Sequence, residues 1–280
     1  MAGGAHGDGS GFQAGRVAHL PAVSTRETLD DPGGIVDLWC FRYDDAREPA
    51  LLAAYAALMT PDEEARHRRY VFAKDQLQFL ATRALVRTVL SEYAPVPAAD
   101  WRFVEEAGGR PRVLSPEVAP PLFFNLSNTA GMVVCAVSAA HRELGVDVEF
   151  LGRPGETVSV AGAYFSPFEA RALHELPLAA QRQRFFWYWT LKESYIKAKG
   201  LGLAIPLERF SFLLDEGPAI GVRFDRSLGD DPGEWRFSAV HAERNHLVAV
   251  GVKTDGAPLR LRAVEYVPLR GIVPFPARAL

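Results

Sequence analysis

Leu77, Leu80, Ala84, Leu85 and Val89 recur at helical spacing, and no glycine or proline interrupts residues 62–94. In front of them, Thr60-Pro61-Asp62-Glu63 is a capping box with proline at the first helical position. The pattern predicts one long helix here, or two joined by a kink near Phe72. A second start of the same kind, Ser166-Pro167-Phe168-Glu169, opens a helical stretch to about Lys199. Short alternating or apolar runs predict strands at Gly34–Phe41, Trp101–Val104, around Val113, Leu122–Leu126 and Met132–Val137. Further strands are expected at Gly145–Phe150, Phe210–Leu213, Ile220–Phe224, Trp235–Val240 and Leu247–Val252. Each half thus reads as a capped helical region followed by antiparallel hairpins, a weak internal repeat of α+β character. Residues 1–16, rich in glycine and small residues, are expected to form a disordered tail. Residues 17–140 and 141–256 would be two similar α+β subdomains, and 257–280 a C-terminal extension packed on the body.

Composition narrows the function classes. Of 280 residues, 48% are hydrophobic and 11% aromatic, enough for a substantial core. A net charge of −3 gives no bulk electrostatic case for nucleic acid. Cys40 and Cys135 each sit in a strand-like apolar run, so they read as buried free thiols of a reducing compartment. No apolar run approaches the length of a membrane span, and the N-terminal residues lack the basic and apolar regions of a secretory signal. A cytoplasmic protein without a membrane partner is expected. His67, His141 and His174 show no metal-ligand spacing and are taken as structural or surface residues.

Two acidic features carry the candidate chemistry. In Gly145-Val146-Asp147-Val148-Glu149-Phe150, strand periodicity projects Asp147 and Glu149 to one side and the apolar residues to the other. Two adjacent carboxylates repel, so they need a solvated face or a cation, and hard oxygen ligands favour Mg²⁺ or Mn²⁺. An exposed strand face is the ordinary explanation of such a pair taken alone. In Trp189-Thr-Leu-Lys-Glu-Ser-Tyr-Ile-Lys197, helix periodicity stacks Phe185, Trp189, Glu193 and Lys197 in one column. A solvent-facing Glu–Lys pair is again the ordinary explanation; the apolar neighbours above Glu193 argue for more.

Together, in this order and about forty residues apart, the two stretches resemble the 4′-phosphopantetheinyl transferase superfamily, in its surfactin-type branch. The family's G-[IV]-D-[IV]-E matches Gly145–Glu149, and its W-x-x-K-E-[AS]-x-x-K matches Trp189–Lys197. Gly200-Leu-Gly-Leu-Ala-Ile-Pro-Leu207 looks like its glycine-rich continuation. Upstream, Phe124-Asn-Leu-Ser127-Asn128-Thr129 is similar to F-N-[ILV]-S-H-[ST], and Gly109-Arg110-Pro111 to G-[KR]-P. Asn128 departs from the family's histidine, which contacts the coenzyme A 3′-phosphate; an amide donates a hydrogen bond but carries no charge.

The resemblance implies a pseudo-two-fold pair of α+β subdomains, each with a long helix on a mainly antiparallel sheet, and a nucleotide in the cleft between them. It implies transfer of phosphopantetheine from coenzyme A to a serine of an apo acyl or peptidyl carrier protein, releasing 3′,5′-ADP, by a broad-range monomer. Asp147, Glu149 and Glu193 would hold Mg²⁺, or Mn²⁺ in its place. Glu193 or a metal-bound water would take the serine proton, Glu149 shares the catalytic centre, and Lys197 would steady charge on the phosphates. Arg66, Arg83, Arg110, Ser127, Asn128 and Lys192, with Lys197, are the expected coenzyme A contacts. The individual charges of Arg66-His67-Arg68-Arg69 otherwise read as solvent-facing. Two rival classes stay open at this point: a non-catalytic carrier-protein or nucleotide-binding module on the same fold, and a Mg²⁺-dependent nuclease. E-x-x-x-K spacing and the acidic balance speak against the nuclease.

Overall fold

A computed structural model describes residues 25–31, 34–106, 108–155, 158–216, 219–242 and 244–273; the expected tail at 1–16 lies outside them. The first half runs α1 (Thr25–Asp30), β1 (Ile35–Phe41), α2 (Pro49–Ala56), α3 (Pro61–Arg68), α4 (Ala73–Tyr93), β2 (Arg102–Glu105), β3 (Pro111–Ser115), β4 (Phe123–Thr129) and β5 (Met132–Ser138). The second repeats that order. It comprises β6 (Leu144–Phe150), α5 (Ala161–Tyr164), α6 (Pro167–His174), α7 (Leu178–Lys199), β7 (Phe210–Leu213), β8 (Gly221–Phe224), β9 (Trp235–Ala242) and β10 (His246–Lys253). Both capping boxes form, and the helical stretch after Thr60 is two helices, with Phe72 as the N-cap of α4. The α+β duplication read from the sequence is the fold.

The sheets repeat as well. β1-β5-β4 in the first half corresponds to β6-β10-β9 in the second. Val36, Leu38, Val134 and Ala136 from the first sheet pack against Val146, Val148, Val248 and Val250 from the second, back to back. The long helix α4 covers the outer face of one sheet and α7 that of the other, each over its own apolar cluster. Cys40 and Cys135 are buried free thiols, and burial pushes the Cys40 thiol up to about 12. No helix among the described residues is long and apolar enough to cross a membrane.

The expected C-terminal extension is no mere appendage. It forms β11 (Arg260–Val267) and β12 (Gly271–Val273), and β11 pairs in parallel with β1. β11 lies on the edge of β1 opposite β5. There Arg262 reaches Asp37, whose carboxylate also accepts hydrogen bonds from Thr28 and Tyr93.

A twin pair of buried charges fixes each half and corrects one expectation. The capping-box glutamate Glu63 meets Arg87 at 2.6 Å, and Glu169 meets Lys192 at 2.7 Å. Arg87 and Lys192 are each the fifteenth residue of their helices, counted from Ala73 and Leu178. Both continue onto main-chain carbonyls just before or at the next hairpin: Ala98 and Trp101 for Arg87, Leu207 and Phe210 for Lys192. Lys192 is 1% exposed and its three donors are engaged, so it cannot reach a phosphate. Its role is to tie α6, α7 and β7 together. Removing one partner of a buried pair strands the other charge. Lys192→Met should therefore cost about 3–5 kcal/mol in urea unfolding; a loss under about 1 kcal/mol, the surface-pair value, would show that the pair is not structural.

Candidate active site

The site begins with two glycines. Gly145 of β6 and Gly251 of β10 stand opposite each other in register. A Cβ on Gly145 would meet Ser194 O at 2.0 Å and Ala198 N at 2.4 Å; one on Gly251 would lie 3.1 Å from Ser194 Oγ. Main chain of α7 thus presses directly on the sheet, and Ser194, fully buried, is the small residue at the crossing. This close approach explains the glycine and small-residue positions of the two motifs. It also brings the Trp189–Glu193–Lys197 column over Asp147 and Glu149.

Lys197 Nζ lies 2.7 Å from Asp147 Oδ1 and 2.8 Å from Ser127 Oγ. Ser127 Oγ in turn donates to the same Asp147 oxygen at 2.9 Å. Asp147 Oδ2 is buried and has no hydrogen-bond partner. Glu149 is paired with Arg153 at 3.1 Å, and the ring of Trp189, which favours its charged form, stacks on Phe185. Burial first, then repulsion by Asp147, lifts the Glu149 carboxyl from its ordinary 4.5 to about 7; Arg153, Trp189 and Lys197 oppose the rise. Glu193 is also raised, by burial and by Asp147, with Lys197 opposing. Three carboxylates therefore share one electrostatic neighbourhood.

Among the described residues, no three His, Cys, Asp or Glu side chains are arranged as a formed cage for a metal ion. Lys197 and Arg153 instead neutralise two of the carboxylates. The donor set nevertheless suits a hard divalent cation: it is all carboxylate, the charges repel, and one buried oxygen lacks a partner.

A cleft of about 270 Å³ opens beside Glu193 and Lys197, walled by Asn125 of β4 and the β2–β3 loop with Arg110. A Cβ on Gly108 would lie 1.7 Å from Gly200 O, so that loop sits tight against the end of α7. Arg110 donates to Ala198 O at 3.0 Å and to Arg142 O, bridging the halves with its guanidinium. Arg66 and Arg83 form a separate group, 5.5 and 5.0 Å over the Phe79 ring, beside Glu63 and Glu105. Arg83 Nε is buried without a partner, and burial lowers its pKa. Asn128 is exposed at the end of β4.

Three features escaped the sequence reading. Asn125 Oδ1, Ser127 Oγ and Thr129 Oγ1 accept the backbone N–H groups of Val146, Val148 and Phe150 at 3.0, 3.2 and 3.3 Å. Three short polar side chains at period two along β4 were the available signal. Arg153, four residues after Glu149, and Gly251, which faces Ser194 Oγ, were the others. The Glu149 carboxyl has a consequence for stability. Folded, it holds its proton to about pH 7; unfolded, it loses it near 4.5, so folding takes up a proton between these values. Stability from this group falls as pH rises through that window, by on the order of 3 kcal/mol. In metal-free buffer, the stability of Glu149→Gln relative to wild type should rise across this window in urea titrations. Parallel pH curves would refute the shift.

The comparisons agree with this architecture. Residues 143–251 match the 4′-phosphopantetheinyl transferase superfamily, and residues 47–140 match the family described as 4′-phosphopantetheinyl transferase, N-terminal. The chain is 34% identical over 185 residues to the 4′-phosphopantetheinyl transferase HetI of Nostoc sp., spanning 66% of this chain and 76% of that one. A phosphopantetheinyl transferase of Thraustochytrium sp. is 31% identical over 264 residues, 86% of this chain and 90% of its own length. The 4′-phosphopantetheinyl transferase Sfp of Bacillus subtilis is 28% identical over 215 residues, with 77% and 91% covered. With both halves matched and the acidic and lysine motifs meeting in one site, the chain belongs to the 4′-phosphopantetheinyl transferase superfamily.

Proposed function

We propose that the protein transfers 4′-phosphopantetheine from coenzyme A to a serine hydroxyl of an apo acyl or peptidyl carrier protein, leaving 3′,5′-ADP. The observation that carries this reading is the meeting of Asp147, Glu149, Glu193 and Lys197 across the β6–α7 contact, with one bare carboxylate oxygen. The serine oxygen attacks the β-phosphorus of the pyrophosphate, and the bond from that phosphorus to the bridging oxygen breaks. Asp147, Glu149 and Glu193 would hold Mg²⁺, or Mn²⁺, which when bound supplies charge neutralisation at the diphosphate.

The protein's own groups do the rest. Lys197, 28% exposed at its side chain, has the length and charge to turn from Asp147 toward the leaving phosphate oxygen. Glu193 borders the cleft with a raised pKa, which suits it to accept the serine proton. Arg66 and Arg83 are the phosphate-binding candidates, since a guanidinium presents a planar fork to phosphate oxygens. Asn128, exposed near the end of β4, can add an uncharged donor. Arg110 acts chiefly as the brace that keeps the hairpin tip on the cleft wall. The buried free thiols suit an enzyme of the cytoplasm.

Incubation with coenzyme A, Mg²⁺ and an apo carrier protein should add about 340 Da to the carrier, the mass of the transferred group; no shift across a panel of carriers would end the reading. Asp147→Ala should lower kcat/KM by more than about 100-fold at millimolar Mg²⁺, because even substitutions behind a metal ligand cost about 10–100-fold. Arg83→Ala should raise the KM for coenzyme A by about 10-fold, the loss of one hydrogen bond to a charged group. An unchanged KM would take Arg83 out of the phosphate site.

A further inference from the structure

Ser127 was expected to touch coenzyme A, but its surroundings assign it other work. A serine hydroxyl has one hydrogen to give and two lone pairs to receive. Val148 N donates to Ser127 Oγ at 3.2 Å, and Lys197 Nζ donates to it at 2.8 Å. Neither group can accept, so both lone pairs are occupied. The single hydrogen is left with Asp147 Oδ1, at 2.9 Å. The hydroxyl is therefore oriented by its neighbours, in a residue only 5% exposed.

The effect on Asp147 is one-sided. Oδ1 receives two donors, from Ser127 and Lys197, while Oδ2 is buried and receives none. Lys197 sits on a long, partly exposed side chain and can leave Oδ1 when a phosphate arrives. Ser127, with one rotatable bond on a central residue of β4, cannot follow it. A phosphate oxygen needs a donated hydrogen, and Ser127 has none to spare.

Building on the reading given under Proposed function, we propose that Ser127 is a positioning residue. It pins the Asp147 carboxylate through Oδ1 so that Oδ2 stays bare for a divalent cation, and it makes no contact with coenzyme A.

Three measurements separate this from direct cofactor binding. Ser127→Ala, with its fold checked by circular dichroism, should bind Mn²⁺ about 10–100-fold more weakly in an electron paramagnetic resonance titration. Its affinity for coenzyme A in EDTA, by calorimetry, should stay within about 2-fold, well below the 10-fold of a lost charged hydrogen bond. Ser127→Thr, which restores the hydroxyl, should recover most of the Mn²⁺ affinity. Unchanged Mn²⁺ affinity in Ser127→Ala would overturn the proposal, as would a tenfold loss of coenzyme A affinity in EDTA. Should the alanine variant fail to fold, Ser127→Cys, of similar size and weaker as a donor, carries the same expectation. The Mn²⁺ comparison stands even if no carrier protein gains mass, so failure of the transfer reading and failure of the positioning role remain distinct.

Discussion

The two halves of this enzyme are joined by side chains standing in for a β-ladder. One edge of β6 pairs normally with β10; its other edge faces β4 and carries the N–H groups of Val146, Val148 and Phe150. Buried N–H groups without partners are costly. Asn125, Ser127 and Thr129 meet that need from alternate positions of β4, and the pairs advance together, so the strands run parallel across the seam. Such a seam specifies register. A slip of one residue would turn the polar side chains away, and Asp147 would swap places with a valine.

The candidate site hangs from that alignment. Ser127 belongs both to the seam and to the carboxylate site, so inter-sheet register and the orientation of Asp147 are one geometric fact. On the opposite side, the glycines of β6 and β10 admit the backbone of α7 and bring Lys197 to the same oxygen. Charge at the centre is then balanced internally. Lys197 answers Asp147 and Arg153 answers Glu149, while Arg153 and Arg182 both lie over the Phe186 ring.

The duplicated order of elements was legible because it rests on local signals: two capping boxes, two long helices, and hairpins between turn residues. The carboxylates and Lys197 were legible because strand and helix periods alone place each pair on one face. Lys192 was misplaced for a geometric reason. It precedes Glu193 by one residue, about 100° around the helix, so a motif written as K-E does not put both side chains in one site. The seam was missed because a strand's period shows which residues share a face, not which neighbour they meet. The strand at Arg260–Val267 has no local signature, because its partner lies over two hundred residues away.

That distant pairing bears on how the molecule is made. β1 is synthesised more than two hundred residues before β11, yet β11 is the neighbour on its far edge. Asp37, wholly buried on β1, obtains its cationic partner only when Arg262 arrives. During synthesis the first half must wait with an open edge and an unanswered charge while the second half emerges. Topology of this kind slows completion and exposes a strand edge to wrong partners. β11 therefore closes the far edge of β1 late, after most of the described chain has been made.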